Sequence, residues 1–145
     1  MTTKSKKSTV RKISSKTTKS KRTKILCVSH KEDADGISSA ALIKQAFGGD
    51  TILVDYPGMM DELEALRNDV KLKKLFICDV GLNKQTNDSF VDLLTELRKK
   101  RISVTYVDHH DIDPKVATKL KKIKVNLIHV QREDQKQTSP AHFLR

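Results

Sequence analysis

The chain is poor in aromatic residues and in cysteine. Its 145 residues contain no tryptophan, only 4% aromatics and two cysteines. Two cysteines cannot build the dense disulfide framework of a small secreted domain. Cys27 and Cys78 each lie inside an apolar run, so we expect buried free thiols in a reducing compartment. No apolar run is long enough to span a membrane and no secretory leader is visible. These absences predict a cytoplasmic protein without a membrane partner.

Acidic residues are missing from the N-terminal segment. Residues 1–24 carry ten basic side chains and no acid, whereas the other 121 residues carry 19 basic against 18 acidic side chains. Most of the net charge of +11 therefore belongs to this segment. Its Lys, Ser and Thr cannot bury enough apolar surface to offset the entropy of ordering, which predicts a disordered basic arm over residues 1–23. The basic residues of 1–24 are either simply solvated or contact phosphate backbones, and two arginines are too few for a typical mitochondrial presequence.

Beyond the arm, short apolar runs alternate with amphipathic stretches, as expected for one domain. The predicted strands are 25–29, 51–54, 74–78, 102–107 and 125–130, and the predicted helices are 37–47, 60–69, 88–100 and 114–122. This alternation predicts an α/β fold of the Rossmann-like kind: a parallel five-stranded sheet with helices on both faces. Ligands of such sheets bind beyond the carboxyl ends of the strands. The basic run 98–101 is interpreted as a solvated helix end that complements the negative helix pole.

Acids and histidines follow three of the predicted strands. Asp33 and Asp35 come after the first strand, Asp79 after the third, and the tripeptide Asp108-His109-His110 after the fourth. Carboxylates and imidazoles at one sheet edge are ligands for divalent ions, and this mixture suits manganese, iron, cobalt or zinc better than magnesium. Two such ions bridged by a carboxylate can drive phosphoryl transfer. Taken alone, an acid such as Asp108 can also be a loop cap.

Three segments together resemble the DHH phosphoesterase superfamily. Residues 29–42, SHKEDADGISSAAL, resemble its motif I, residues 77–79 (Ile-Cys-Asp) its motif II, and residues 107–110 (Val-Asp-His-His) its motif III. The superfamily includes RecJ-type exonucleases, nanoRNases, cyclic-dinucleotide phosphodiesterases and manganese-dependent inorganic pyrophosphatases. The resemblance covers about residues 24–145 and is greatest to the RecJ and nanoRNase branch.

The resemblance implies a ligand set for two ions. His30 and Asp33 would bind the first metal, Asp35 and His109 would bind the second, and Asp79 would bridge the two. Two residues separate His30 from Asp33, while related subfamilies have one or three there, so His30 is the least certain ligand. The metal is expected to be divalent and of the manganese type.

The resemblance also implies catalytic roles. Asp79 would serve catalysis through both ions, His110 would face the substrate phosphate, and Asp108 would orient the histidines. His129 and His142 match no motif and are expected to be ordinary residues. The sequence predicts a helix start at residues 138–141, Thr-Ser-Pro-Ala.

The family has a fourth motif, an Asp that completes the second metal site, and a C-terminal substrate-holding domain. Neither has a counterpart before Arg145. We therefore expect residues 24–145 to be a DHH N-terminal domain truncated at its C-terminal end, with its second metal site short of one ligand.

The function implied is a manganese-type phosphoesterase that hydrolyses phosphodiester or phosphomonoester bonds of nucleic acid or nucleotides by a two-metal hydroxide mechanism. One alternative is a catalytically incomplete DHH module that binds nucleic acid or serves as a scaffold. Another is an inorganic pyrophosphatase, which the residues after Asp35 disfavour because they resemble the nuclease branch.

Overall fold

The computed structural model describes residues 24–131. The predicted arm 1–23, the predicted helix start at 138–141 and His142 lie outside the described residues. Within the described part, no helix has the length and apolar character needed to cross a membrane.

Five strands and four helices alternate along the chain. The strands are β1 (Lys24–His30), β2 (Asp50–Val54), β3 (Leu72–Cys78), β4 (Ser103–Asp108) and β5 (Asn126–His129). The helices are α1 (Ala34–Phe47), α2 (Met59–Ala65), α3 (Asn87–Lys99) and α4 (Pro114–Lys122). All neighbouring strands are parallel, in the order β2-β1-β3-β4-β5. The predicted α/β fold with a parallel five-stranded sheet is confirmed.

Helices cover both faces of the sheet. Most of the core lies on the face of α2, α3 and α4, where Ile77 and Tyr106 from the sheet meet Leu120 of α4. The apolar residues of α3 recur at helical spacing, and those facing the sheet are fully buried: Phe90, Leu93, Leu94 and Leu97. On the other face, Cys27 and Phe76 pack near Ala40 of α1. The central strands β1 and β3 therefore alternate their side chains between two apolar layers, as a doubly covered sheet requires.

The strand order creates a crevice at the carboxyl ends of β1 and β3. The chain leaves β1 toward one edge of the sheet, to β2, whereas from β3 it proceeds toward the other edge, to β4 and β5. The connections that follow β1 and β3 therefore diverge. At this switch point a parallel sheet has room for a ligand.

The predicted extent of the second helix was wrong. The prediction ran from residue 60 to residue 69, but α2 ends at Ala65 and a 3-10 turn follows over Leu66–Asn68. The chain turns toward β3 here: Asp69 is extended, and its carboxylate accepts the Lys71 N–H at 3.0 Å and the Lys24 amine at 2.7 Å. The apolar spacing was nevertheless informative, because Leu63 and Leu66 are both buried.

The first helix begins three residues earlier than predicted. Asp33 caps its N-terminus, so α1 starts at Ala34 rather than at residue 37. Its end is as predicted, because Gly48 and Gly49 both adopt positive φ, of 70° and 88°. The two cysteines are buried and free, again as predicted.

Candidate metal centre

The side chains predicted for the site meet at the carboxyl edge of the sheet. They come from the end of β1 and the start of α1, from the residue after β3, and from the end of β4 with the two residues that follow. The structure brings together all seven predicted side chains: His30, Asp33, Asp35, Asp79, Asp108, His109 and His110.

The turn between β1 and α1 is tightly packed. Asp33 Oδ1 accepts the Gly36 N–H at 2.9 Å, which leaves Oδ2 at 3.3 Å from His30 Nδ1. A Cβ on Gly36 would lie 2.1 Å from the His30 carbonyl oxygen, so only glycine fits. Ser29 Oγ lies 2.8 Å from the Gly36 carbonyl oxygen and 2.9 Å from that of Cys78. This turn is therefore attached to the end of β3.

Asp79 occupies an unusual backbone position at the centre of the site. Its φ is 54°, a left-handed conformation that Asp tolerates better than most residues. Its N–H donates to the Val107 carbonyl at 2.9 Å, which fixes it beside β4. The residue is 4% exposed, with Oδ1 at 2.9 Å from His109 Nε2 and 3.9 Å from His110 Nδ1.

Asp108 links His110 to the core. Its carboxylate has no exposed surface, and Oδ1 lies 2.7 Å from His110 Nδ1. The Tyr106 hydroxyl lies 3.0 Å from Asp108 Oδ2 and 2.7 Å from the Val80 carbonyl oxygen. His129, expected to be an ordinary residue, contacts the His110 carbonyl oxygen through Nε2 at 2.6 Å.

Two groups of possible ligands share Asp79. His30, Asp33 and Asp79 form one group, and Asp79, His109 and His110 form the other, with the ligand atoms of each group within 4.8 Å of one another. His30 Nε2, Asp79 Oδ2 and His109 Nδ1 are buried atoms without a hydrogen-bond partner. Buried polar atoms are normally satisfied, so a bound cation fits these residues.

Asp35 lies beside the second group. Its Oδ2 is 3.8 Å from His109 Nε2, and Asp35, Asp79 and His109 line the same cavity of about 140 Å³. That volume would hold a few water molecules, at about 30 Å³ each. The second ligand group contains His110 where the resemblance implied Asp35. The assignment of Asp35 to the second metal stays a prediction.

The electrostatics of the two central acids differ. Burial raises the pKa of Asp79, and the neighbouring Asp33 carboxylate raises it further. The pKa of Asp33 is lowered, first by the Gly36 N–H that it accepts. Two carboxylates this close favour sharing a proton when no cation is bound. A divalent cation would instead favour the ionised form of both.

Tyr56 is a site residue that the sequence did not reveal. Its ring centre lies 4.7 Å from that of His30, and its hydroxyl accepts the Gly81 N–H at 3.3 Å. A Cβ on Gly81 would lie 3.1 Å from both the Tyr56 hydroxyl and His110 Cγ, so Tyr56 borders both ligand groups. Nothing in a tyrosine beside a predicted Pro-Gly turn indicates such a position.

Comparison with known protein families matches residues 24–139 to the DHH family, N-terminal domain. Neither the curated proteins nor the solved structures contain a match. The matched segment includes every side chain of the two ligand groups and covers most of the chain. The family is one of divalent-metal-dependent phosphoesterases, which agrees with a shared carboxylate between imidazole ligands. The chain belongs to the DHH family, to whose N-terminal domain its residues 24–139 correspond.

Proposed function

We propose that this protein hydrolyses phosphodiester or phosphomonoester bonds of nucleic acid or nucleotides with the help of two divalent ions. The observation that carries the proposal is the membership of Asp79 in both ligand groups. Two-metal phosphoryl transfer needs ions about 3.5–4 Å apart, and a carboxylate shared between them favours that separation. Asp79 is buried and anchored to β4, so it can hold such a position without rearrangement.

The ligand chemistry favours a manganese-type ion. Each group combines carboxylate oxygen with imidazole nitrogen: His30 in the first, His109 and His110 in the second. Magnesium prefers oxygen ligands and water, whereas manganese, iron and zinc accept imidazole. Ions bound by these groups would neutralise phosphate charge and lower the pKa of a bound water.

The residues of the chain itself orient the substrate. An ionised Asp108 can only accept a hydrogen bond, so its contact with His110 assigns the proton to Nδ1. Nε2 of the neutral His110 ring is then unprotonated and could bind an ion, whereas the charged ring would carry an Nε2 proton that can be donated to a phosphate oxygen. The side chain is 34% exposed toward the solvent. The exposed Tyr56 borders the same opening and would restrict how a substrate approaches.

A binding module without hydrolytic activity is the second candidate. Asp79 is the only carboxylate of the second ligand group among the residues that the structure describes. A second ion held by one shared carboxylate and two imidazoles would be bound more weakly than the first. The same fold would then bind phosphate esters through one ion without efficient turnover.

Hydrolysis by the full chain in Mn²⁺ tests the proposal. The substrates are a five-nucleotide oligonucleotide, a chromogenic phosphodiester and inorganic pyrophosphate. We expect Asp79→Ala to lose at least about 100-fold in turnover, because it removes a ligand of both ions. The matched control is Asp92→Ala, an exposed acid on α3. Equal turnover by wild type and Asp79→Ala would refute the proposal. Mn²⁺ binding without turnover of any substrate would favour the binding module, and turnover of pyrophosphate alone the pyrophosphatase.

A further inference from the structure

A second charged surface lies at the opposite edge of the sheet from the metal centre. The helices run antiparallel to the strands that they cover, so the C-terminal ends of α3 and α4 lie near the amino ends of the strands. Seven cationic residues belong to these two helix ends and the turns after them. They define the amino-edge surface: Arg98, Lys99, Lys100, Arg101, Lys121, Lys122 and Lys124.

The two helix ends have the same backbone geometry. After α3, the Ile102 N–H bonds to the Leu97 carbonyl at 3.1 Å, and after α4 the Val125 N–H bonds to the Leu120 carbonyl at 3.0 Å. The residue before each of these donors, Arg101 or Lys124, has φ of 62°. Glycine usually occupies this left-handed position, because residues with a Cβ are strained there. Basic residues therefore occupy both turns although the backbone conformation there favours glycine.

Arg98 joins the two turns into one surface. Its Nη1 donates to the Ile102 carbonyl at 2.7 Å, and its Nε donates to the Ile123 carbonyl at 3.2 Å. Beside it is a cleft of about 360 Å³, whose lining includes Lys99, Lys122 and Lys124. Arg98 is thus held in place by both turns, and the three lysines line the cleft beside it.

The positive charge of the surface exceeds what the helix ends require. Each helix C-terminus carries about −0.5 elementary charge, so two ends account for about one of the seven cations. Among residues 24–131, no ion pair joins Lys99, Lys122 or Lys124 to an acid. The sequence showed only the run 98–101, whereas the fold adds the cations of α4 beside it.

We propose that the amino-edge surface binds the phosphate backbone of a nucleic acid strand, as a site separate from the metal centre. Several cations that line one cleft can neutralise the phosphates of a nucleic acid strand. A lipid surface is disfavoured, because none of the exposed large apolar side chains of the described chain lines this cleft. The chain also enters β1 at Lys24 on the same edge of the sheet.

Fluorescence anisotropy with a labelled 20-nucleotide oligothymidylate tests this proposal, in EDTA so that the metal centre does not contribute. The test variant of the full chain is Lys99→Glu/Lys122→Glu. We expect its Kd to rise about tenfold at low salt. We also expect the slope of log K against log salt to fall by about 1.4, because each phosphate that is no longer neutralised lowers the slope by about 0.7. The control, Lys84→Glu/Lys115→Glu, has the same change in net charge away from this edge and should bind nearly as wild type.

Equal weakening by the control would show that only net charge matters and would overturn the proposal, as would unchanged binding by the test variant. Binding of vesicles with 20% phosphatidylserine in place of the oligonucleotide would also overturn it. The comparison is repeated with Lys16, Lys19, Lys21 and Arg22 changed to Gln, where the difference between test and control should persist. Because binding is measured without metal, failure of the proposed hydrolysis leaves this result unaffected.

Discussion

Asp108 holds His110 through a contact of 2.7 Å between Oδ1 and Nδ1, and the Asp108 carboxylate is entirely buried. Tyr106 contacts the other carboxylate oxygen from within the core. The orientation of a ring at the mouth of the site is therefore set by a hydrogen-bond chain that begins between the sheet and α3, where Phe90 contacts Tyr106. The position of His110 therefore depends on two buried residues, Asp108 and Tyr106.

Asp108→Asn should lower Mn²⁺-dependent turnover by about 10–100-fold with little change in Tm. The amide can donate to His110 Nδ1, which would move the ring proton to Nε2 and leave the Tyr106 contact intact. The measurements are kcat across pH and thermal unfolding. The control is Asp111→Asn, an exposed acid three residues along. Unchanged turnover by Asp108→Asn, or an equal loss by Asp111→Asn, would contradict the role of Asp108.

Asp79→Asn should abolish stabilisation by Mn²⁺. Ligand binding to the folded state adds about 2.7 kcal/mol to the free energy of unfolding when the ligand concentration is 100 times Kd. Mn²⁺ should therefore raise the Tm of the wild type. In EDTA the variant should be at least as stable as wild type. Burial and Asp33 raise the pKa of Asp79, so its charge is unfavourable without a cation, and Asn tolerates the left-handed backbone. A variant that retains the full Mn²⁺ effect would show that the ions bind elsewhere.

Gly36→Ala should destabilise the protein by about 1–3 kcal/mol, the usual cost of overpacking. The added methyl group would meet the His30 carbonyl oxygen at 2.1 Å, and backbone there cannot yield without opening the turn between β1 and α1. Gly58→Ala is the control, because nothing lies within 4 Å of its Cβ position; as the N-cap of α2 it should lose less than about 1 kcal/mol. Urea unfolding compares the two. Similar values for both variants would argue against tight packing at Gly36.

Asp69→Asn should destabilise the protein at pH 7 by about 0.5–1 kcal/mol, and the difference from wild type should vanish in acid. The Lys24 amine at 2.7 Å lowers the pKa of Asp69 below its ordinary value of 3.8. Because the pKa of Asp69 is lower in the folded state than in the unfolded state, its ionised carboxylate stabilises the fold above pH 3.8. This stabilisation is lost as the pH falls through the folded-state pKa. Asn can still accept the Lys71 N–H, so the change isolates charge. Denaturant unfolding from pH 7 to pH 3 measures the difference in free energy of unfolding between wild type and Asp69→Asn. A difference that stays constant with pH would contradict a stabilising role of the ion pair.

The fold and the rim of the site were predictable because both follow from local patterns. Apolar runs of strand length indicated the sheet, and the carboxyl ends of parallel strands share one edge, so Asp33, Asp79 and Asp108 had to converge. The exact end of α2 was not predictable, since the chain passes through a 3-10 turn to Asp69, whose contact with Lys24 exists only once β1 and β3 are paired.

Tyr56 and the amino-edge surface were beyond sequence reasoning for a different reason. Tyr56 reaches the site only because β2 lies beside β1, which brings it against His30. The cations of α3 and α4 likewise join only when Arg98 spans both turns. No motif in the sequence marks these two sites, because their residues are brought together only by the packing of the folded chain.

The positions of the two ligand groups also imply that the chain acquires its metal-binding ability late in folding. Asp33 and Asp79 are 46 positions apart, and they approach only when β1 pairs with β3, a non-local contact whose loop must close first. Helices α1 and α3 could form without bringing any ligand of one strand to those of another. The rate at which a refolding chain acquires its ion should therefore equal the rate of central strand pairing, which makes Mn²⁺ a kinetic reporter of that step.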